Sequence, residues 1–424
     1  MRLVVLRRPD PLWLRDRAAA VLPRRLDSLT SLRFFAAFAV FVHHFTGFGG
    51  KTGFGRAPAI FPYSMIGVHG VTFFFVLSGF LLTWVFKPTE HPGAFYWRRV
   101  GRIWPAHLAA SVLGVYAYYI AAELEIDWPS LISSLFLVQT WFPHVTPTLP
   151  GNEVSWTLSV ELLFYALFPF LAPLVVRLRT RTLAAATAAG MAGMWAVNWW
   201  AAAALEPSAE GWVMRLPLVY LPEFLLGMTL AMAVKRGWRL PLHPAVPVLA
   251  LLVYTVGYYQ GRVRLAAPVV AQLDYLVRPT VGVLTALVIL AFVQREVRGV
   301  RGVLNNPVLV LLGLWSYCFY LVHHSLSRLA TYTWGRLPDD NSALLTLLGM
   351  GLVGIALAWA LYTTVERPAE QWWRRHTPAR WVGTGRAEPA SAPAPAPVPA
   401  LVPAPAGPAQ RTDGGEGPQM SRIK

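Results

Sequence analysis

Cysteine occurs once in 424 residues, at Cys318, which excludes an intrachain disulfide framework and any cysteine-based metal site. Charge is also scarce: Asp, Glu, Lys and Arg together make up 14% of the chain, against roughly 25% in a soluble domain. Acids are the rarer sign, 21 against 37 lysines and arginines, and the stretch 123–153 has neither lysine nor arginine. The resulting net charge of +16 could suggest a nucleic-acid partner. The basic residues, however, sit in short clusters between apolar blocks, as topology signals do, and nucleic acid is rejected. Residues 1–27 carry seven arginines but only the short apolar run Leu3–Leu6, too little for the core of a secretory signal. They read as a basic cytosolic N-terminal segment.

What the chain has in abundance is apolar surface, 55% of residues, gathered in blocks near the length a hydrocarbon core requires. The fold class expected is an all-α polytopic membrane protein of about ten transmembrane helices, at 28–48, 65–86, 103–122, 154–176, 183–204, 212–234, 244–260, 276–294, 305–328 and 342–365. The shorter apolar run 130–142 is left out. With both termini cytosolic, Lys87, Arg98, Arg99 and Arg102 share a side with the basic clusters at 177–181, 235–239 and 295–301, as the positive-inside rule asks. A transmembrane domain over 28–370 is followed, at 377–424, by Pro/Ala-rich sequence that reads as a disordered cytosolic tail. No internal repeat is strong enough to indicate duplicated transporter halves.

Ionisable residues at membrane depth are kept mainly for a use. Arg33 and His44 stand eleven residues apart in one apolar stretch; on an α-helix they fall within roughly 20° of one face and about 16 Å apart along it. An arginine at the cytosolic mouth can hold a phosphate-bearing donor, and a histidine deeper in can take a proton from an attacking hydroxyl. Spacing alone favours a plainer account, with Arg33 snorkelling and His44 at the far interface. In Gly70–Phe80, Ser78 and Gly79 suit a helix-packing surface. Arg98, Arg99 and Arg102 precede Pro105 and suit a polyanion, or simply mark a short cytosolic loop. Glu161, inside the span after Trp156, needs a partner or a proton: it orients His44, or it is a neutral acid bonded for packing. Glu223 poses the same question, with Arg215 two turns earlier as a neutralising partner. His323 and His324 invite a metal, but adjacent helical residues point about 100° apart and rarely chelate one ion, so no metal site is expected.

Taken in order, these segments resemble the acyltransferase 3 family of integral-membrane O-acyltransferases. The resemblance rests on Arg33 with His44, Phe74–Phe80, Arg99 and Arg102 ahead of Pro105, Trp156–Glu161, Ser316 and Tyr317 with Tyr320, Leu321 and His323, and Glu366–Pro368. Two positions depart from it: Thr72, where many members have aspartate, and Thr157 for serine. The residues after Pro368 are too few for the soluble hydrolase-like domain some members carry, so the membrane-only form is expected. The resemblance implies transfer of an acyl group, commonly acetyl, from acyl-coenzyme A as co-substrate to a hydroxyl of a carbohydrate, cell-surface glycan or glycosylated natural product. No resident cofactor is implied. His44 becomes the general base, Glu161 its orienting partner, and Arg33, Arg99 and Arg102 the donor's phosphate contacts; His323, Glu223, Ser78 and Tyr165 are lesser candidates. A multi-pass protein of a bacterial plasma membrane follows, with oligomeric state open. The rival classes are a transporter or exporter of an acylated or small organic substrate and a non-catalytic scaffold.

Overall fold

The computed structural model describes residues 22–23, 25–47, 60–145, 151–335 and 340–382, and among these there is no strand. The protein is an all-α polytopic membrane protein. Its principal helices are α1 (Asp27–Thr46), α2 (Gly70–Val85), α3 (Pro92–Val115), α4 (Trp128–Leu135), α5 (Trp156–Arg177) and α6 (Thr180–Ala204), then α7 (Leu221–Lys235), α8 (Ala245–Arg264), α9 (Ala267–Val297), α10 (Pro307–Trp334), α11 (Asp340–Leu361) and α12 (Arg367–Arg375). Every expected span falls largely within a helical stretch, and seven such stretches are long and apolar enough to cross a membrane: Asp27–Thr46, Met65–Val85, Glu153–Arg177, Pro217–Lys235, Ala267–Val297, Pro307–Trp334 and Ser342–Arg375. Large apolar side chains such as Phe170 and Leu352, 74% and 70% exposed, make sense only against lipid. The run 130–142 left outside the spans yields the short α4, whose first turn is capped by Asp127.

Two helices differ from expectation in a way that matters. α3 starts eleven residues before the expected span at 103, because Pro92 opens it and the His91 ring accepts the Gly93 N–H at 3.0 Å. Arg98, Arg99 and Arg102 are therefore helical and not in a loop, and Pro105 lies inside the helix. α11 continues through a π-helical turn, Tyr362–Glu366, into α12. A second π-turn, Tyr116–Ile120, extends α3. Such turns insert one residue and recur beside functional sites.

Close backbone approach fixes the centre. A Cβ at Gly79 would stand 2.0 Å from the Phe224 carbonyl oxygen, and one at Gly227 would stand 1.9 Å from that of Val76, so α2 and α7 meet backbone to backbone. This is the small-residue packing expected of membrane helices. α1 and α10 pack through Phe34, Phe38, Phe41 and Phe319, whose ring centroids lie 5.7–6.3 Å apart where they touch. The start of α1, whose N-cap Leu26 offers no polar side chain, is capped from α9: Glu296 accepts the Asp27 and Ser28 N–H groups at 2.6 and 3.1 Å. A carboxylate there also complements the helix dipole. The Pro/Ala-rich segment from 383 onward and residues 1–21 lie outside the described residues. Of the expected tail, 377–382 is structured, and the Trp381 ring stacks on His91 at 5.9 Å.

Candidate active site

A cavity of about 270 Å³ lies among α1, α2, α3, α5, α10 and α12. α2 gives it one face, with Val71, Phe74, Phe75, Ser78 and Leu82 recurring at helical spacing. α5 contributes Thr157, Glu161 and Tyr165, and α10 contributes Ser316, Tyr317 and Tyr320. Arg33 enters from α1, Arg98, Arg99 and Arg102 from α3, and Glu370 with Arg374 from α12. Six sequence-stated candidates, Arg33, Ser78, Arg99, Arg102, Glu161 and Tyr165, thus share one space.

The arginines are not equivalent. Arg98 is ion-paired with Glu90. Arg102 reaches Glu370 at 3.2 Å and Glu366 at 3.6 Å, and Glu370 also holds Arg374 at 2.7 Å. Glu366, brought inward by the π-turn, accepts the Cys318 thiol at 3.0 Å. Among the described residues neither Arg33 nor Arg99 has a carboxylate partner within ion-pair distance. The Arg99 guanidinium lies 5.3 Å from both the Phe95 and the Tyr165 ring centres, and its buried Nε has no hydrogen-bond partner. Two guanidiniums that line a cavity without a carboxylate at ion-pair distance form a candidate site for an anion. Glu161 accepts a hydrogen bond from Tyr165, one turn on.

The cavity is polarised along its length. α2 runs against α1: Trp84, near its end, donates to the Pro23 carbonyl at 2.9 Å, whereas Gly70, at its start, abuts Val40 and Ala36. Val71, Phe74 and Tyr320 therefore lie at the end away from Arg98 and Arg374, and His323 follows Tyr320 by one turn of α10.

At that far end His44 Nδ1 lies 2.9 Å from His323 Nε2, and His323 Nδ1 lies 2.7 Å from the Tyr320 carbonyl oxygen. A carbonyl only accepts, so His323 carries its proton on Nδ1 and accepts at Nε2 from the His44 Nδ1–H. This leaves the lone pair of a neutral His44 on Nε2. The hydrogen-bond partner of His44 that the sequence suggested in Glu161 is instead His323; no hydrogen bond joins Glu161 to His44. His324 packs edge-on against His44, ring centroids 4.6 Å apart. Its Nδ1 hydrogen-bonds Tyr118, and its Nε2 lies 3.4 Å from Glu153, which Arg328 approaches at 3.7 Å. The Tyr118–His324–Glu153–Arg328 group was missed because Tyr118 and Glu153 are remote in sequence from His324 and Arg328; only the histidine pair itself gave a signal.

Glu223 is not paired with Arg215. Arg278 of α9 holds it bidentately, Nε at 2.8 Å and Nη2 at 3.3 Å, and Thr72 donates at 3.1 Å. Glu223 is buried and Arg278 partly so, and neither lines the cavity. Thr72, where many members of the resembled family carry an acid, thus hydrogen-bonds an acid delivered from α7.

An all-helical membrane body that sets an arginine-lined cavity against one end of a helix and a histidine cluster against the other defines a membrane-embedded transferase. The chain belongs to the acyltransferase 3 family: residues 26–363 match the family model Acyl_transf_3, described as an acyltransferase domain. It is similar to the acyltransferase MdmB of Streptomyces mycarofaciens, 33% identical over 374 residues covering 84% of this chain and 94% of the relative. It is also similar to the exopolysaccharide production protein ExoZ of Rhizobium meliloti (strain 1021), 28% identical over 313 residues covering 72% and 89%. No solved structure shows a significant match.

Proposed function

We propose that the protein is an O-acyltransferase of a bacterial plasma membrane, with ten spans and both termini in the cytosol. It moves a short acyl group from acyl-coenzyme A to a hydroxyl of a carbohydrate, cell-surface glycan or glycosylated natural product. The observation that carries this reading is the pair Arg33 and Arg99, two guanidiniums without a carboxylate at ion-pair distance, in a cavity also lined by Tyr320, whose ring packs on His323 of the His44–His323 pair. Donor phosphates pair with these arginines and compete with Glu370 for Arg102, while the apolar face of α2 takes the arm leading to the thioester. His44 Nε2 removes the proton of the acceptor hydroxyl as its oxygen bonds to the acyl carbon. The carbon–sulfur bond then breaks, and the leaving thiolate takes up the proton held on His44, so charge and protons balance. His323 fixes the His44 tautomer and accepts the Nδ1–H throughout. Glu161 acts through Tyr165 on the charge balance of the cavity.

The relatives support the reading: one is named an acyltransferase, and the other, a protein of exopolysaccharide production, favours a glycan acceptor. The test supplies purified protein with radiolabelled acetyl-coenzyme A and a glycan and glycoside extract from cells lacking the gene. Label covalently bound to an extract component, identified by mass spectrometry, supports transfer. Movement of a compound across vesicles without covalent label would instead make the protein an exporter.

A further inference from the structure

We infer that Glu153 and Arg328 hold the acceptor, binding hydroxyls of a sugar ring beside His44. The inference rests on the transfer reading given above and adds where the acceptor sits. α1 and α10 run side by side in one direction: Ser31 donates to the Leu304 carbonyl at 2.6 Å near their starts, and His44 meets His323 towards their ends. α1 stops at Thr46, two residues past His44, whereas α10 continues to Trp334, ten residues past His324. The overhang carries Arg328 and Tyr332, at successive spacings of four from His324 and therefore on one stripe. Exposure rises along that stripe. The His324 and Arg328 side chains are 12% and 37% exposed, and Tyr332 is 42% exposed. Glu153, whose side chain is 38% exposed, faces both His324 and Arg328. An accessible carboxylate and guanidinium in a membrane protein face water and not lipid, so the stripe leads from water to the half-buried His44.

Pairing within this group leaves room for a ligand. All three contacts of Glu153 fall on one oxygen: Oε2 lies 3.4 Å from the Tyr118 hydroxyl, 3.4 Å from His324 Nε2 and 3.7 Å from Arg328 Nη2. The last is too long for a hydrogen bond, and Oε1 has no hydrogen bond or ion pair among the described residues. Every sugar hydroxyl both donates and accepts, so neighbouring hydroxyls are matched by a carboxylate that accepts from one beside a guanidinium that donates to the next. The exposed Tyr332 ring offers a surface to the apolar face of the sugar. One imidazole separates Glu153 from His44: His324 turns Nε2 to the carboxylate and packs on His44 with ring centroids 4.6 Å apart. A sugar ring anchored at Glu153 spans that separation and presents another of its hydroxyls to His44.

The experiment follows transfer from radiolabelled acetyl-coenzyme A by the purified full chain while the glycan and glycoside extract from cells lacking the gene is serially diluted. Binding of acetyl-coenzyme A is measured separately by equilibrium dialysis. Wild type is compared with Glu153→Gln, Arg328→Gln, Tyr332→Leu and, as an exposed acid outside the group, Glu125→Gln. Glu153→Gln and Arg328→Gln are each expected to raise the half-saturating extract concentration at least roughly tenfold, by more than the saturated rate falls, with donor binding unchanged. Tyr332→Leu raises it less, and Glu125→Gln leaves it at the wild-type value. Should neither variant of the pair fold, Tyr332→Leu, at an exposed position, decides. Wild-type half-saturation in the folded variants, a fall in the saturated rate alone, or loss of acetyl-coenzyme A binding in them overturns the inference while leaving the transfer reading intact. Wild type that binds acetyl-coenzyme A but labels no component of the extract overturns both.

Discussion

Single side chains carry the sharpest expectations. His44→Ala leaves the cluster without its free Nε2 and abolishes transfer, with expression and membrane insertion near normal; turnover close to wild type in that variant would remove the general base. His43, buried on another side of α1 against Gly67, is expected to tolerate alanine better. Arg33→Lys and Arg99→Lys keep the charge but lose the planar fork, and donor binding is expected to weaken by about 1–3 kcal/mol each, read from acetyl-coenzyme A saturation at fixed ionic strength. Curves that overlay wild type would reduce these arginines to topology signals. The residues of the cavity were legible because an arginine or glutamate inside an apolar run announces itself. Their partners were not. Helical numbering gives depth along an axis but not which face of one helix meets which face of another, so the sequence pointed to Glu161 as the partner of His44 and left His323, 279 residues away, a lesser candidate. The same gap hid Arg278 from Glu223, since Arg215 was the nearer cation by count alone.

At the level of helices, the chain announced where apolar blocks lie and left unannounced how they continue. An arginine cluster before a proline reads as a loop, yet Pro92 and His91 nucleate the helix earlier and carry Arg98, Arg99 and Arg102 into α3. Neither π-turn has a composition that would betray it. The turn at Tyr362–Glu366 sets the phase of α12, and its half-buried Thr363 makes hydrogen bonds only to its own helix. Thr363→Ala is therefore expected to be nearly silent. Deleting Thr363 rotates Glu370 and Arg374 by about 100° away from the cavity, and donor affinity falls at least roughly tenfold; equal affinities for the two variants would deny the turn that role. The Glu223–Arg278 pair makes the complementary point about packing. Arg278→Met strands a buried carboxylate and is expected to cost about 3–5 kcal/mol, whereas Glu223→Met/Arg278→Met recovers most of it. Thermal unfolding in detergent measures both, and a double variant as unstable as the single one would give the pair a role beyond mutual neutralisation.

For the molecule as a whole, orientation is the open quantity. Cys318 is buried and bonded to Glu366, so an impermeant thiol reagent meets no competing native thiol in the described residues. Glu125→Cys, at an exposed position before α4, is expected to react in intact cells, and Ser391→Cys only after permeabilisation; the opposite pattern would invert the topology. Orientation matters because Arg33 and His44 are carried by one uninterrupted helix, which makes rotational phase and reach two separate variables of the enzyme. One residue inserted between them lengthens the reach by only about 1.5 Å but turns His44 roughly 100° from His323. Seven inserted residues return it to within about 20° of its original direction while adding about 10 Å. A spacing of eleven meets both conditions at once, so α1 acts as a gauge block: a donor of the wrong length can be held at one end and still never present its carbonyl at the other.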